Sequence, residues 1–387
     1  MTLAELVPQP PSWSIDWPAI ERALDDVVDA RTLAATPQDA AFHSEGDVWI
    51  HTRMVIEALV ADDDWRALPA AARAIAFLAA LAHDLGKPST TRLDGDKLTS
   101  RGHSARGEHL VREWLWRLGA PFAEREHVCR LVRSHQVPFF GFGRDDAAHL
   151  AESLSLRLRN DLLVLVALAD ARDRRCALEA DQDRIVEQTL LYRELCRDLG
   201  VLDAPRAFAS DHTRVVWRET SGRRTPDALA FDDCTCDVIV MSGLPAAGKD
   251  SWLRTHRPDL PVVSLDALRE AHDVDAADDQ GAIIHAARDA AREHLRQRRA
   301  FAWNATNLSD RVRGQVVQLA RDYHARVHLV YCEAPPDVID ARNHARPAPV
   351  PGHAMRRMIE RWTVPLPDEA HTVTYAVTEV RATSRTG

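Results

Sequence analysis

Two groups of residues in this chain have the types and spacing to handle phosphate. The first is scattered: His51, the pair His83-Asp84, then His103, His135 and Asp170. Imidazole nitrogen and carboxylate oxygen together suit a divalent transition metal such as Mn, Fe, Co, Ni or Zn. A pair of such ions lowers the pKa of a bridging water and neutralises a phosphate, which is hydrolytic chemistry. The second group is compact: Gly243-Leu-Pro-Ala-Ala-Gly248-Lys249. Glycines there let backbone N–H groups wrap phosphates, and the lysine bridges the terminal ones, as in enzymes that use ATP with Mg. One chain that both removes and adds phosphate points to remodelling of phosphate positions on a single kind of substrate.

Further residues gather around the loop. The Ser or Thr usual after the lysine is replaced by Asp250, and Ser251 follows. A carboxylate at that point can hold Mg directly or through water. Asp266, in Ser264-Leu-Asp266-Ala-Leu-Arg269, falls where a second strand ends. There it can accept the proton of an attacking hydroxyl, or it can cap a helix over 267–271. Asn304 and Asn307 close another strand and are expected at the same edge as the nucleotide. Arg342 and Arg346 are placed on one face of a helix after Pro336, either as a lid over ATP phosphates or as a solvated face. In the N-terminal half, Arg174 follows Asp170 by one helical turn and so shares its face. His109, His127 and His149 read as incidental.

The elements that must position these residues divide the chain. Residues 1–200 show apolar positions at three- and four-residue spacing in 74–85, 110–118, 128–132 and 162–168, which predicts helices. Gly86 and Gly119 are placed at left-handed helix stops. Residues 201–235 are an interdomain segment, with a short docking strand at Val215-Val216-Trp217. From 236 to 387 strand and helix patterns alternate: strands at 238–241, 262–265, 300–305 and 326–332, helices from about 248, at 280–299 and at 311–323. That alternation predicts an α/β domain with a parallel sheet. The fold expected is therefore multidomain: an all-α metallophosphohydrolase domain followed by an α/β P-loop kinase domain.

Bulk properties exclude several classes. The 387 residues are 45% apolar and 28% charged, enough for packed cores in two or three domains. The start, MTLAELVPQPPSW, has neither the basic nor the apolar stretch of a signal peptide, and no apolar run approaches bilayer length. A cytoplasmic protein with no membrane association is expected. The six cysteines show neither zinc nor disulfide spacing. A net charge of −9 argues against broad coating of nucleic acid, but leaves room for a local basic track.

The His83-Asp-Leu-Gly-Lys87 tract, with the other ligand candidates, resembles the HD phosphohydrolase superfamily. The resemblance implies one metal on His51, His83, Asp84 and Asp170, a second on His103 and His135, and phosphate-facing roles for Lys87 and Arg174. Together with His43-Ser-Glu-Gly-Asp-Val-Trp-Ile-His51-Thr, the Gly243–Ser251 loop, Trp303-Asn-Ala-Thr-Asn307 and Pro365-Leu-Pro-Asp-Glu-Ala-His371, it extends nearly end to end. The whole is similar to the bacterial HD-Pnk family, an HD phosphoesterase fused to a polynucleotide kinase. In that family the Gly-Lys-Asp loop is usual. The resemblance implies end healing of RNA or DNA. The HD half would open a 2′,3′-cyclic phosphate and remove a 3′ or 2′ phosphate. The kinase half would place the ATP γ-phosphate on a 5′-OH. Asp266 would be its general base, Lys249, Arg342 and Arg346 its clamps, and Arg269 a contact to the acceptor. A polynucleotide ligase would follow in the pathway.

Two other readings stand beside this one. A kinase for a nucleoside, sugar or antibiotic could be fused to a nucleotide phosphohydrolase. A nucleotide sensor, or a tRNA-end-processing partner, is the third. HD domains also follow nucleotidyltransferase domains, but only about 40 residues precede the first HD element here.

Overall fold

The run Ile75 to Lys87 is buried at every residue, although it holds His83, Asp84 and Lys87. A helix that is apolar all round has no solvent face, so Ala70–Ala82 becomes the centre of its bundle. Helices Val48–Ala61, Phe122–Ser134 and Asn160–Asp173 pack around it. The computed structural model describes residues 3–95, 97–274 and 280–378. Within it the chain divides into two units, Met1–Arg206 and Ala207–Gly387.

The first unit is helical, apart from a short antiparallel pair, β1 (Arg92–Asp94) and β2 (Lys97–Thr99). The helical reading had no strand there. Gly95 explains it, because it takes a φ of +61° in the turn between Asp94 and Lys97. Gly119 adopts the left-handed stop expected of it, at φ +71°. Gly86 does not: its φ is −78°. What it supplies is closeness, since a Cβ there would lie 2.0 Å from the His103 carbonyl oxygen. The turn after Asp84 can thus press directly against the helix His103–Arg117.

The second unit is built on five parallel strands in the order β4-β5-β3-β6-β7. These are β3 (Cys236–Ser242), β4 (Val262–Ser264), β5 (Phe301–Asn304), β6 (Ala325–Glu333) and β7 (Thr372–Val377). Four of them answer the sequence reading; β7, half-buried at the sheet edge, was not foreseen. The carboxyl ends of β3, β4 and β5 deliver Gly243, Asp266 and Asn304, where ligands sit in such sheets.

The segment at Val215–Trp217 is a helix, Asp211–Glu219, and not a strand. Ser210 caps it by accepting from the Thr213 N–H. Its buried face presents His212, Thr213, Val215 and Trp217, and three adjacent large apolar residues hid this helical face in the sequence. Arg214 and Arg218 then bond carbonyls of Pro367, Ala370 and Asp368.

Candidate active sites

The first site forms where helices end. His83 follows the last residue of its helix, His135 does the same, and His103 begins one. Each places Nδ1 on the carbonyl oxygen three residues earlier: Ala80 at 2.7 Å, Val132 at 2.8 Å and Ser100 at 2.8 Å. A carbonyl only accepts, so Nδ1 keeps the proton and Nε2 is left with its lone pair facing inward. His103 Nε2 and His135 Nε2 are 3.4 Å apart. His51 lies within its helix, with Nε2 3.1 Å from Asp170 Oδ1.

Asp84 joins the two halves of the cluster. Its Oδ2 is 3.1 Å from His83 Nε2 and 3.9 Å from His51 Nε2, while Oδ1 is 3.5 Å from His103 Nε2. Two ligand groups therefore share one carboxylate: His51, His83 and Asp84, and Asp84, His103 and His135. The ligand assignment implied by the resemblance had given Asp84 to one metal alone. His83 Nε2, both oxygens of Asp84 and Asp170 Oδ2 are buried without a formed hydrogen bond among the described residues, although Asp84 Oδ2 also pairs with the Lys87 ammonium. Buried polar atoms are normally satisfied. Orphaned donors of these types, converging from separate helices, fit a divalent metal pair.

Most of the charges agree with that reading. His83 runs the other way: burial would lower it, but Asp84 and Asp170 outweigh burial and raise it above its ordinary value, so a metal there would displace a ring proton. Burial alone would raise the Asp84 carboxyl, but His83, Lys87 and His103 outweigh it and hold it well below the usual range. Burial likewise opposes Asp170, and Arg174, His51 and His83 prevail. Burial, then His83 and His103, push His135 down to about 3, so its ring is neutral as a ligand must be. Lys87 is buried, not a solvated surface charge: its ammonium lies 2.7 Å from Asp84 Oδ2 and donates to Gln38 Oε1. Arg174 donates to Asp170 Oδ1 at 2.8 Å and stacks over Phe139.

Three contributors escaped the sequence reading. Gln38 is one, and His43 and Glu45 are the others. Glu45 Oε1 lies 2.9 Å from both His43 Nδ1 and His51 Nδ1. Burial disfavours its charge, yet the two histidines hold the carboxyl well below its ordinary value. A sequence signal for His43 and Glu45 did exist, since both lie in the tract His43–Thr52 that carries the family resemblance.

The second site is the loop after β3. Gly243 (φ +141°) and Gly248 (φ +107°) take backbone angles that suit glycine alone. A Cβ on Gly243 would lie 2.2 Å from the Cys332 carbonyl oxygen of β6. Lys249 opens the helix Lys249–His256 and folds back, its ammonium donating to the carbonyls of Gly243 (2.9 Å) and Leu244 (2.8 Å). Burial pulls it down to about 8, partly offset by Asp250 and Asp266. Asp250 accepts from Asn304 Nδ2 at 2.5 Å. Ser251 is exposed, its hydroxyl taken by Arg254. Backbone N–H groups, an ammonium and two carboxylates at one sheet edge suit a nucleotide phosphate with Mg.

Asp266 sits inside the first turn of helix Leu265–His272, whose cap is Ser264. The capping alternative for Asp266 therefore falls away. Its carboxylate is 76% exposed and pairs with Arg269, which also donates to Gln280. Arg342 reaches over the loop to the Ala246 carbonyl at 3.4 Å. Arg346 does not share its helix, which ends at His344. Pro347 follows Arg346, and the residue before a proline is driven out of helical conformation. Its charge nevertheless bears on Lys249. Asn307 does not face the nucleotide edge. It is buried and donates to the Met241 carbonyl at 2.7 Å, stitching the turn after β5 to the end of β3.

A third cluster, His212, Cys234 and His371, has metal-like spacing. However, His371 Nδ1 accepts the Val327 backbone N–H at 3.0 Å. The ring proton must then sit on Nε2, which faces His212 Nδ1 at 3.2 Å. A proton there leaves no lone pair for a metal, so the trio is a hydrogen-bond relay.

No helix among the described residues is long and apolar enough to cross a membrane. A protein from Chloroflexus aurantiacus assigned as a kinase has a TM-score of 0.31 and 20% identity, over 38% of this chain and 87% of its own. A multifunctional CCA protein from Ralstonia nicotianae is 36% identical over 104 residues, which are 27% of this chain and 22% of that protein. Another, from Shewanella frigidimarina, is 34% identical over 106 residues, 27% of this chain and 23% of that protein. The chain thus spans under a quarter of the length of these curated relatives. Residues 48–175 match the HD domain family, and residues 238–365 match the AAA domain family. The chain joins an HD domain to a P-loop domain of the AAA type, a pairing that supports an enzyme with phosphohydrolase and kinase-like halves.

Proposed function

We propose that this chain heals broken nucleic-acid ends, of the HD-Pnk kind. The HD half opens a 2′,3′-cyclic phosphate and removes a 3′ or 2′ phosphate. The P-loop half moves the γ-phosphate of ATP to a 5′-OH. A polynucleotide ligase would consume the product. The observation that carries the reading is the pair of phosphate sites of opposite chemistry in one chain, joined to the end-to-end sequence tracts. Exposure of Asp266 also favours a long acceptor. No residue of its helix is buried, so among the described residues the general base stands open to solvent.

In the HD half, metal ions on the two ligand groups would supply an activated water and a cationic seat for phosphate. His83, His103 and His135 are held in the right tautomer by their carbonyl partners. Lys87 and Arg174 add two fixed cations beside Asp84 and Asp170. In the kinase half, Mg and ATP would supply the phosphoryl group. Lys249 would exchange its loop carbonyls for phosphate oxygens. Asp266 would take the proton of the 5′-OH, and Arg342 and Arg346 would neutralise the charge in transit.

One oligonucleotide with a 5′-OH and a 3′-phosphate, incubated with ATP, Mg and Mn, tests both halves. The expected product carries a 5′-phosphate and a 3′-OH. Phosphorylation of free nucleosides or sugars, with the oligonucleotide untouched at its 5′ end, would move the assignment to a small-molecule kinase.

A further inference from the structure

The four site histidines are not supported alike. His83, His103 and His135 rest on neutral carbonyls. For His51 the corresponding carbonyl, Val48, accepts from Thr52 Oγ1 instead. Its Nδ1 faces the Glu45 carboxylate at 2.9 Å without a formed hydrogen bond, so the contact is chiefly electrostatic. Glu45 is itself fixed. Its Oε2 accepts the Arg175 backbone N–H at 3.0 Å. Ser44 donates to the Arg175 carbonyl through both N–H (2.7 Å) and Oγ (2.8 Å), and Ala177 N–H reaches the Ala41 carbonyl at 3.0 Å. Gly46, at φ +130°, turns the chain immediately after Glu45 into the His51 helix.

We propose that Glu45 is a positioning residue that makes the ligand group of His51, His83, Asp84 and Asp170 bind its ion more tightly than the group of Asp84, His103 and His135. This rests on the metal-binding reading of the cluster. A metal on Nε2 makes the imidazole ring more positive, and a carboxylate behind Nδ1 stabilises that charge where a carbonyl does so less. The first group then has two carboxylate ligands and a carboxylate-backed histidine. The second has one shared carboxylate and two carbonyl-backed histidines. Partners behind metal ligands typically change affinity 10–100-fold.

The test is a titration of the metal-free full chain with Mn²⁺, the free ion followed by electron paramagnetic resonance. Two sites of unequal affinity are expected. Glu45→Gln keeps an acceptor for Arg175 but removes the charge, and should weaken the tighter site 10–100-fold while leaving the weaker one. Raising the Mn²⁺ concentration should then restore phosphatase turnover. Ser44→Ala cuts one bond of the same strap without touching the carboxylate, and should bind both ions as the unaltered chain does. Equal weakening in Ser44→Ala would mean that Glu45 acts only by holding the strap, and would overturn the proposal. So would Glu45→Gln binding both ions unchanged. An unaltered chain that binds no ion would instead sink the metal reading itself.

Discussion

At the residue scale, Lys249 is the group whose state is most sensitive to conditions. Burial lowers it to about 8 from an ordinary 10.5. A phosphate prefers the ammonium form, which predominates below about 8 and is lost as pH rises through it. Nucleotide affinity, measured calorimetrically with ADP and Mg, should therefore hold from pH 6.5 to 7.5 and weaken by up to about tenfold per unit above 8. Lys249→Arg cannot deprotonate in that range and should flatten the profile, whatever it does to turnover. An unchanged slope in the arginine variant would place the titration elsewhere. The candidate ligands of both sites were legible as candidates because metals and phosphates demand particular atoms. Asn307 was misread because an Asn at a strand end looks the same whether it faces a ligand or, as here, the strand behind it. Glu45 was missed because its role depends on a contact with Arg175, far away in sequence.

At the element scale, two glycines decide how closely neighbouring segments approach. Gly243→Ala would force a side chain into the Cys332 carbonyl at a strained φ. Strain of that kind costs roughly 1–3 kcal/mol before any clash is counted. A lowered melting temperature and lost ADP binding are expected together. Gly86→Ala meets the His103 carbonyl and would push the helix His103–Arg117 away from Asp84. Mn²⁺ titration should show the Asp84, His103 and His135 position weakened first; loss of the other position instead would contradict this packing. Long periodic helices and apolar strands were legible because pattern alone sets them. The short pair β1–β2 and the edge strand β7 were not, since exposed or half-exposed strands of three to six residues leave little pattern. Helix Asp211–Glu219 failed for the opposite reason: the run Val215-Val216-Trp217 suits either state, and only the Ser210 cap and the arginine anchors settle it.

At the scale of the molecule, the two ligand sets lie in separate units, Met1–Arg206 and Ala207–Gly387. Their activities should separate. In the full chain, Asp84→Ala should abolish release of 3′-phosphate and leave 5′ labelling within about twofold. Asp266→Ala should do the reverse. Loss of both activities in either variant would argue for one coupled site.

The strap between residues 41–45 and 175–177 has a consequence for how the chain is made. Asp84, His103 and His135 all leave the ribosome before Arg175, whose amide then closes a contact with Glu45 across 130 residues. Closing so long a span has an entropic cost that only the assembled bundle can meet. The expected order is that the His51 position is completed last, after the chain has passed Arg175. Exchange of the Arg175 amide hydrogen with solvent would report when that closure happens, and slower exchange on adding metal would show the strap and the ion sealing one another.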